Sequence, residues 1–313
     1  MTSGCGTGTE GPRICLGGSV FGWLISKPES WAVLDRFFEI GGRFIDTSDA
    51  YSSSQREARL DSETIIGDWV RGAGVAGQVK ICTKVGLSTD APGLRPALVR
   101  EAVQRSIERL GVTQLEAVLA HADDPEVGAG EIAVALSAVA GRQEARQIGM
   151  SNFGHLRARD VADAALAQSL EPLGVIQEEF SLMARAFRGS ALHDVAEEFG
   201  LSLMATGALA QGFLTGKFRG VIGRVGHRQK YATGRYADPR SHMILDRVQK
   251  IAEHHGVQMA AVSLAWVASH DFVATPVASV TSPQQLHAFE EAARLKLTET
   301  ELRSLTDGYG QPH

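Results

Sequence analysis

The stretch GGRFIDTSDAYSSS, residues 41–54, contains an apolar strand segment that runs directly into a carboxylate. Phe44 and Ile45 precede Asp46, and Tyr51 follows five positions later. A carboxylate at the end of a buried strand is costly unless an oppositely charged group lies beside it. The sequence therefore predicts a specific partner for Asp46 elsewhere in the chain.

Short apolar runs of this kind alternate with stretches of helical period along the whole sequence. Eight runs predict strands, at residues 14–18, 43–48, 79–86, 117–121, 147–152, 174–180, 201–207 and 273–279. Between them, segments such as 96–110 carry apolar residues on one helical face, and Gly111 follows where such a helix would stop. Eight strand-helix units without a linker rich in Pro, Gly or Ser predict one closed (β/α)8 TIM barrel.

Three segments fall outside this repeat. The first is residues 1–12, which we expect to form a flexible amino terminus. The second is an extra helix predicted at 298–307, near the end of the single domain that we expect residues 13–313 to form. The segment 219–240 is rich in arginine and glycine and is too long for a routine connection after the seventh strand. A loop of that length is typical of a functional or a disordered segment.

Composition excludes several classes of partner. The net charge of -5 and the pI near 6.1 leave no broad basic face for nucleic acid or an anionic membrane.

The sequence has neither a secretory signal nor an apolar stretch of membrane-spanning length, which predicts a cytoplasmic protein. The cysteines Cys5, Cys15 and Cys82 are odd in number and scattered, which favours a reducing compartment. We expect a monomer or a small homo-oligomer.

Charged and aromatic residues recur at the predicted strand ends. Asp46 follows strand two, Lys84 lies toward the end of strand three, and His121 ends strand four. Active sites of such barrels lie at the carboxyl-terminal ends of the strands, so we expect these groups on one rim, with Tyr51 folding back over them. A buried lysine lowers the pKa of a neighbouring tyrosine, and a carboxylate offsets the cost of burying the lysine. The expected result is a phenol that donates a proton near neutral pH.

The same residues allow other interpretations. Asp46 taken alone is more often a turn or helix cap than a catalytic group. His121 with Asp123 and Asp124 could bind a metal, as in a barrel hydrolase. A metal site of that kind would require a second histidine at a neighbouring strand end, and the sequence has none there. The order of four suitable residues on successive strand ends therefore favours the first interpretation.

Several motifs, in this order, resemble the aldo-keto reductase superfamily from about residue 13 to residue 306. They are GGRFIDTSDAY (41–51), SETIIG (62–67), ICTKVG (81–86), LAHADDP (119–125), IGMSNF (148–153) and LAQGFLTGKF (209–218). The opening LGGSVFGW (16–23) is similar to that of a bacterial subgroup. The resemblance implies a TIM barrel that reduces a small-molecule carbonyl with a nicotinamide cofactor. It places the catalytic tetrad on Asp46, Tyr51, Lys84 and His121.

The resemblance also implies which residues contact the cofactor. Ser151, Asn152 and Gln177 would hold the nicotinamide carboxamide, and the Gly-rich stretch ending at Lys217 would hold the pyrophosphate. The full set is Ser19, Asp46, Ser151, Asn152, Gln177, Thr206, Gly207, Ala208, Leu209, Gln211, Gly212, Lys217, Ser279, Thr281 and Gln285.

Three positions depart from the family pattern. Thr206 stands where an aromatic residue usually stacks on the nicotinamide, Thr281 where an arginine is common, and Phe289 where an asparagine is common. The implied cofactor is NADPH bound with reduced affinity, with NADH as the alternative. The function implied by the resemblance is NAD(P)H-dependent reduction of an aldehyde or ketone, such as a sugar or secondary-metabolite carbonyl, to an alcohol, with Tyr51 as the general acid. A nicotinamide-binding regulatory or redox-sensing subunit with slow turnover is the alternative.

Overall fold

The fold is a closed parallel barrel, and the computed structural model describes residues 13–51, 61–219, 234–236 and 238–307 of it. Within these residues eight strands pair in chain order, and the last pairs back onto the first. They are β1 (Cys15–Gly17), β2 (Phe44–Asp46), β3 (Lys80–Val85), β4 (Leu115–Ala120), β5 (Ala145–Ser151), β6 (Val175–Glu179), β7 (Ser202–Thr206) and β8 (Val273–Ala278). The predicted TIM barrel is confirmed, with β4 and β5 each beginning two residues before their predicted runs.

Helices surround the barrel on the outside. The described residues contain α1 (Lys27–Glu39), α2 (Ser62–Ala73), α3 (Pro96–Leu110), α4 (Ala129–Gly141), α5 (His155–Ala167), α6 (Ala191–Phe199), α7 (Pro239–His255), α8 (Met259–Ala268), α9 (His287–Arg294) and α10 (Glu299–Thr306). Two short segments with 3₁₀ hydrogen bonding span Ala210–Thr215, which has a non-helical kink at Gln211 and Gly212, and Pro283–Leu286.

Local sequence signals set the helix ends. Asp61 precedes α2, and its side chain accepts a hydrogen bond from the Thr64 backbone N–H, which satisfies a donor that the helix leaves free. Gly74 ends α2 and Gly111 ends α3, each with φ of 67°, a left-handed conformation that glycine adopts without steric cost. The helix stop predicted at Gly111 is therefore confirmed.

The apolar core has two parts. The larger part fills the space between the barrel and the helices. The smaller part is a separate cluster of strand residues, namely Cys15, Phe44, Cys82, Ala117, Leu119, Val175, Met204 and Val277. A barrel of eight strands is filled by such side chains and leaves no open channel. A site formed by the barrel itself must therefore lie at one of its ends.

The predicted extra carboxyl-terminal helix is α10. Thr298 and Glu301 form a capping box at its start. At its end, the Arg185 guanidinium donates to the carbonyl oxygens of Leu305 and Thr306, both at 2.6 Å. His255 Nε2, at the end of α7, lies 2.8 Å from Glu301 Oε1. These contacts hold α10 against the outside of the barrel.

Two predictions concern residues outside the described part of the chain. These are the flexible terminus at 1–12 and most of the basic segment 219–240, namely 220–233 and 237. Among the described residues, the helices are too short or too polar to cross a membrane.

Candidate active site

The alternation of side chains along the strands delivers a set of polar residues to the carboxyl-terminal rim of the barrel. Successive residues of a strand point to opposite faces, so a residue two positions beyond an inward-facing one also faces inward. Phe44, Cys82 and Leu119 belong to one apolar cluster. Two positions beyond members of this cluster stand Asp46, Lys84, His121, Gln177, Thr206 and Ser279. The apolar layer thus supports a polar layer directly above it.

Lys84 and Asp46 form a buried ion pair in this polar layer. Lys84 Nζ donates to Asp46 Oδ1 at 2.6 Å and to the Thr47 carbonyl oxygen at 2.7 Å. Lys84 is 1% exposed and Asp46 2% exposed. Burial lowers the pKa of Lys84, but the Asp46 carboxylate, together with Tyr51 and Cys82, outweighs burial and holds that pKa above its ordinary value. Lys84 is the partner that the sequence predicted for Asp46, and it remains an ammonium.

Tyr51 folds back over this pair from the loop after β2, as expected. Its ring centre lies 4.8 Å from Lys84 Nζ, and its ring meets that of His121 edge-on at a centroid distance of 5.7 Å. The expected lowering of its pKa is wrong, however. Burial raises the pKa of Tyr51 above its ordinary value, because loss of solvent outweighs the opposing effect of Lys84. The phenol is therefore held in its protonated form.

His121 is the first residue after β4 and joins the same cluster. Its Nδ1 lies 2.8 Å from Ser48 Oγ. Burial, assisted by the positive charge of Lys84, lowers the pKa of His121 to about 3. The imidazole is therefore neutral at physiological pH and carries a single ring proton.

Ser151, Asn152 and Gln177 lie beside this cluster, where they hydrogen-bond to protein groups. Gln177 Nε2 donates to Asp46 Oδ1 at 2.8 Å. Asn152 Nδ2 donates to the His121 carbonyl oxygen at 2.9 Å and to Ser151 Oγ at 3.0 Å. None of the three lines the large cavity described next. Their assignment to a nicotinamide carboxamide stays a prediction.

A cavity of about 1180 Å³ opens at the same rim and extends from Tyr51 toward α7 and α9. That volume exceeds the range of pockets for drug-sized ligands and suits a dinucleotide. Most of the sequence-predicted cofactor residues line it: Ser19, Asp46, Thr206, Gly207, Ala208, Leu209, Gln211, Gly212, Lys217, Ser279, Thr281 and Gln285.

The segment after β7 combines a left-handed backbone with a lysine that lines the cavity. Ala210, Gln211 and Gly212 have φ values of 48°, 56° and 92°, so three successive residues are left-handed. Two of their backbone N–H groups donate within the segment, from Ala210 to the Gly207 carbonyl oxygen at 2.7 Å and from Gly212 to the Leu209 carbonyl oxygen at 2.9 Å, and Lys217 adds a positive charge. A Cβ at Gly212 would lie 2.9 Å from Lys217 Cε, so glycine permits this close approach. The positive charge of Lys217 at the cavity wall therefore suits an anionic group such as the diphosphate of a dinucleotide.

The departures from the family pattern change the lining of this cavity. Thr206 and Thr281 both line it, and neither provides an aromatic ring or a positive charge. Phe289 is fully buried and packs edge-on against Phe37 at a centroid distance of 6.3 Å. At these three positions the cavity has neutral side chains.

Sequence reasoning missed Glu179 and Arg235. Both line the cavity, and Arg235 donates to both oxygens of the Glu179 carboxylate at 3.1 and 2.8 Å. Glu179 also lies beneath Gly207, where a Cβ would come within 3.0 Å of its Cγ. The signal was the pair of acidic residues at the end of the sixth predicted strand, which ends at the active-site rim.

The residues of the alternative metal site point elsewhere. Asp123 Oδ1 accepts from Arg157 Nε at 2.8 Å. The Asp124 carboxylate accepts from the backbone N–H groups of Leu94 and Glu126, so it stabilises the loops around β4. In the described ranges, the groupings with metal-ligand spacing lie at His193, Asp194 and Glu197 and at His254, His255 and Glu301. Neither grouping includes His121, which favours the first interpretation of that residue.

Fold and site together define a barrel protein whose buried polar cluster and large cavity occupy the face on which barrel enzymes carry their active sites. The chain belongs to the Aldo/keto reductase family, whose family model matches residues 13–308. Members of this family are oxidoreductases that act on small carbonyl compounds and generally use NAD(P)H. The family resemblance in the sequence is therefore confirmed.

Individual relatives cover nearly the whole chain at low identity. The aldo-keto reductase str7 of Strobilurus tenacellus is 25% identical, over 97% of this chain and 88% of that protein. The protein tas of Escherichia coli is 29% identical, over 93% of this chain and 92% of that protein. A putative voltage-gated potassium channel subunit beta of Schizosaccharomyces pombe is 25% identical, over 86% of this chain and 81% of that protein.

Proposed function

We propose that the protein reduces a small aldehyde or ketone to an alcohol, with NADPH as the cofactor and Tyr51 as the general acid. The observation that carries the proposal is the buried Lys84 ammonium, 4.8 Å from the centre of the Tyr51 ring and 2.6 Å from Asp46 Oδ1. A positive charge this close stabilises the phenolate that remains once Tyr51 has given up its proton.

Tyr51 begins the reaction as a neutral phenol. Because burial raises its pKa, the proton stays on the phenol oxygen until an oxygen that gains negative charge accepts it. Lys84 then stabilises the phenolate, and Asp46 keeps Lys84 charged throughout. Interactions that strengthen as charge develops stabilise the transition state more than the ground state, and this lowers the barrier.

His121 provides a second hydrogen bond to the substrate oxygen. As a neutral imidazole it carries one N–H. Its ring lies edge-on against the Tyr51 ring, so we place both side chains next to the same substrate oxygen. Two donors aimed at one oxygen orient the carbonyl and stabilise the alkoxide as it forms.

A nicotinamide dinucleotide supplies the hydride when it is bound. We propose that Gly207, Gln211, Gly212 and Lys217 bind its diphosphate, because they line the cavity within and on either side of the left-handed segment and Lys217 carries a positive charge. Ser19, Ser279, Thr281 and Gln285 line the remaining length of the cavity and would bind the adenosine half. Ser151, Asn152 and Gln177 remain the candidates for the carboxamide.

The cofactor preference follows from the charge of this lining. Of the basic residues among the described lining residues, Arg235 pairs with Glu179, and Lys217 is assigned to the diphosphate. Thr281 is neutral, so a 2'-phosphate gains no arginine there. We therefore propose that NADPH binds with only a modest preference over NADH.

The proposal is tested by cofactor oxidation. Purified protein is mixed with NADPH or NADH and with a panel of aliphatic, aromatic and sugar-derived aldehydes and ketones, and absorbance of the reduced nicotinamide is followed. Carbonyl-dependent oxidation with multiple turnovers supports the proposal. Bound cofactor that no carbonyl of the panel oxidises would contradict it.

A second candidate is a nicotinamide-binding regulatory subunit. It is favoured by the similarity to the protein named as a potassium channel subunit beta, and by Thr206, which provides no ring to stack on a nicotinamide. Stopped-flow measurement separates the two functions. A single slow oxidation of prebound cofactor, without further turnover, would support the regulatory role.

A further inference from the structure

Ser48 occupies the turn between Asp46 and Tyr51 and is fully buried. Its hydroxyl oxygen lies 2.8 Å from Nδ1 of His121 and accepts a hydrogen bond from the Ala50 backbone N–H at 3.1 Å. The side chain thus connects the loop that carries Tyr51 with the imidazole that follows β4.

A serine hydroxyl has one proton, and two acceptors are near it. His121 Nδ1 lies at 2.8 Å, whereas Asp49 Oδ1 lies at 3.4 Å, close to the limit for a hydrogen bond. The shorter contact is the favourable one. If the hydroxyl donates to Nδ1, that nitrogen carries no proton, and a neutral imidazole must then carry its proton on Nε2.

The surroundings of Asp49 weaken its competition for this proton. Its Oδ2 accepts the Gly86 backbone N–H at 3.2 Å. Burial and the nearby Glu63 carboxylate raise the pKa of Asp49 to about 7, against the opposing effects of the Gly86 N–H, Arg109 and Ser48. At neutral pH the ionised form, which attracts a hydroxyl proton most strongly, is therefore only partly populated.

We propose that Ser48 is a positioning residue that fixes His121 as the tautomer with its proton on Nε2. This inference rests on the proposed function, in which His121 donates a hydrogen bond to the substrate oxygen. Loss of the hydroxyl removes the group that holds Nδ1 as an acceptor. The ring then samples both tautomers, and only one of them donates from Nε2.

The test is the nitrogen NMR spectrum of the histidine rings in the full-length protein, compared among variants. His121→Asn assigns the signals of His121 by their loss. Ser48→Ala removes the hydroxyl, whereas Ser48→Thr retains one at the same position. Ser62→Ala is the matched control, because Ser62 is a buried serine nearby whose hydroxyl donates to the Gly18 carbonyl oxygen. Steady-state kinetics are recorded for the same proteins.

The expected spectrum of the unaltered protein and of Ser62→Ala shows a protonated Nε2 and an unprotonated Nδ1. In Ser48→Ala these two signals should move toward each other, and kcat should fall about fivefold to tenfold, the effect of one hydrogen bond. Ser48→Thr should restore both. A proton on Nδ1 in the unaltered protein would overturn the inference, as would an unchanged His121 spectrum in Ser48→Ala.

The spectrum requires no turnover, so this result is separate from that of the carbonyl panel. Failure of every carbonyl to oxidise the cofactor would defeat the proposed function, while the assignment of the tautomer would stand on the spectrum alone.

Discussion

Lys84 Nζ lies 2.6 Å from Asp46 Oδ1, and both side chains are almost completely removed from solvent. Removing one partner of a buried ion pair leaves the other as an uncompensated charge. We expect Asp46→Asn to lower the free energy of unfolding by about 3 kcal/mol or more and to abolish most of the turnover. Urea denaturation and the cofactor-oxidation assay measure the two effects.

The surface pair of Lys27 and Asp68 is the control for this change. It has the same distance of 2.6 Å, but its side chains are 32% and 31% exposed. Lys27→Met should cost about 1 kcal/mol or less, since water replaces much of the interaction. Equal losses in the two variants would show that burial of the Lys84 pair has no special consequence.

Asp49 should make stability depend on pH. Burial and Glu63 raise its pKa to about 7 from an ordinary value of 3.8, so the folded state prefers the protonated carboxyl. The unfolded chain ionises near pH 4, and stability is therefore lost as the pH rises from about 4 to above 7. Asp49→Asn removes this loss. Between pH 5 and pH 8 the variant should gain on the order of 2–3 kcal/mol relative to the unaltered protein.

Urea unfolding at the two pH values measures this difference. Asp90→Asn is the control, because Asp90 is exposed and solvent surrounds it before and after unfolding. A constant difference between Asp49→Asn and the unaltered protein across this pH range would contradict the account of Asp49.

Much of the site could be predicted from the sequence because strand geometry is periodic. Asp46, Lys84 and His121 each lie within one residue of a strand end, and the alternation of side chains along each strand fixes which face they occupy. The contacts of Ser48 could not be predicted in this way. Ser48 lies in a turn, where no period relates sequence to direction, and its partner His121 is 73 positions away.

The direction of the pKa shift of Tyr51 could not be predicted from the sequence either. Lys84 lowers it and burial raises it, and which effect is larger depends on how completely the loop covers the phenol. Gln177 is a similar case: a side-chain amide suits a cofactor, but its hydrogen bond to Asp46 is visible only when strands two and six are placed in one barrel.

Gly207 should be intolerant of a side chain. Its φ is 65°, and a Cβ there would lie 3.0 Å from Glu179 Cγ. An L-residue in the left-handed region costs about 1–2 kcal/mol, so Gly207→Ala should destabilise the protein by at least that amount. Gly72→Ala on α2 is the control, because a Cβ there meets nothing within 4 Å. It should stabilise by about 0.5–1 kcal/mol, the usual gain of alanine over glycine in a helix. Destabilisation by both changes would contradict this reasoning.

An arginine at position 281 should change the cofactor preference. Thr281 lines the cavity, and its backbone N–H, which any residue retains, donates to Gln285 Oε1 at 2.9 Å. Thr281→Arg adds a planar fork of donors suited to a phosphate. The dissociation constant for NADPH should fall about tenfold. NADH lacks the 2'-phosphate and is the internal control in the same fluorescence titration. An equal gain for both cofactors would refute the assignment of this end of the cavity.

The most direct test of the central claim is turnover by Tyr51→Phe, compared with Tyr236→Phe. Tyr236 is buried and packs against the Phe213 ring at a centroid distance of 5.2 Å. Tyr236→Phe therefore removes one phenol hydroxyl from a position outside the Lys84 cluster. With a carbonyl that the unaltered protein reduces, Tyr51→Phe should lower kcat by about a hundredfold or more while cofactor affinity stays within about twofold. Tyr236→Phe should retain its turnover. Undiminished reduction by Tyr51→Phe would show that the phenol beside Lys84 is not the proton donor.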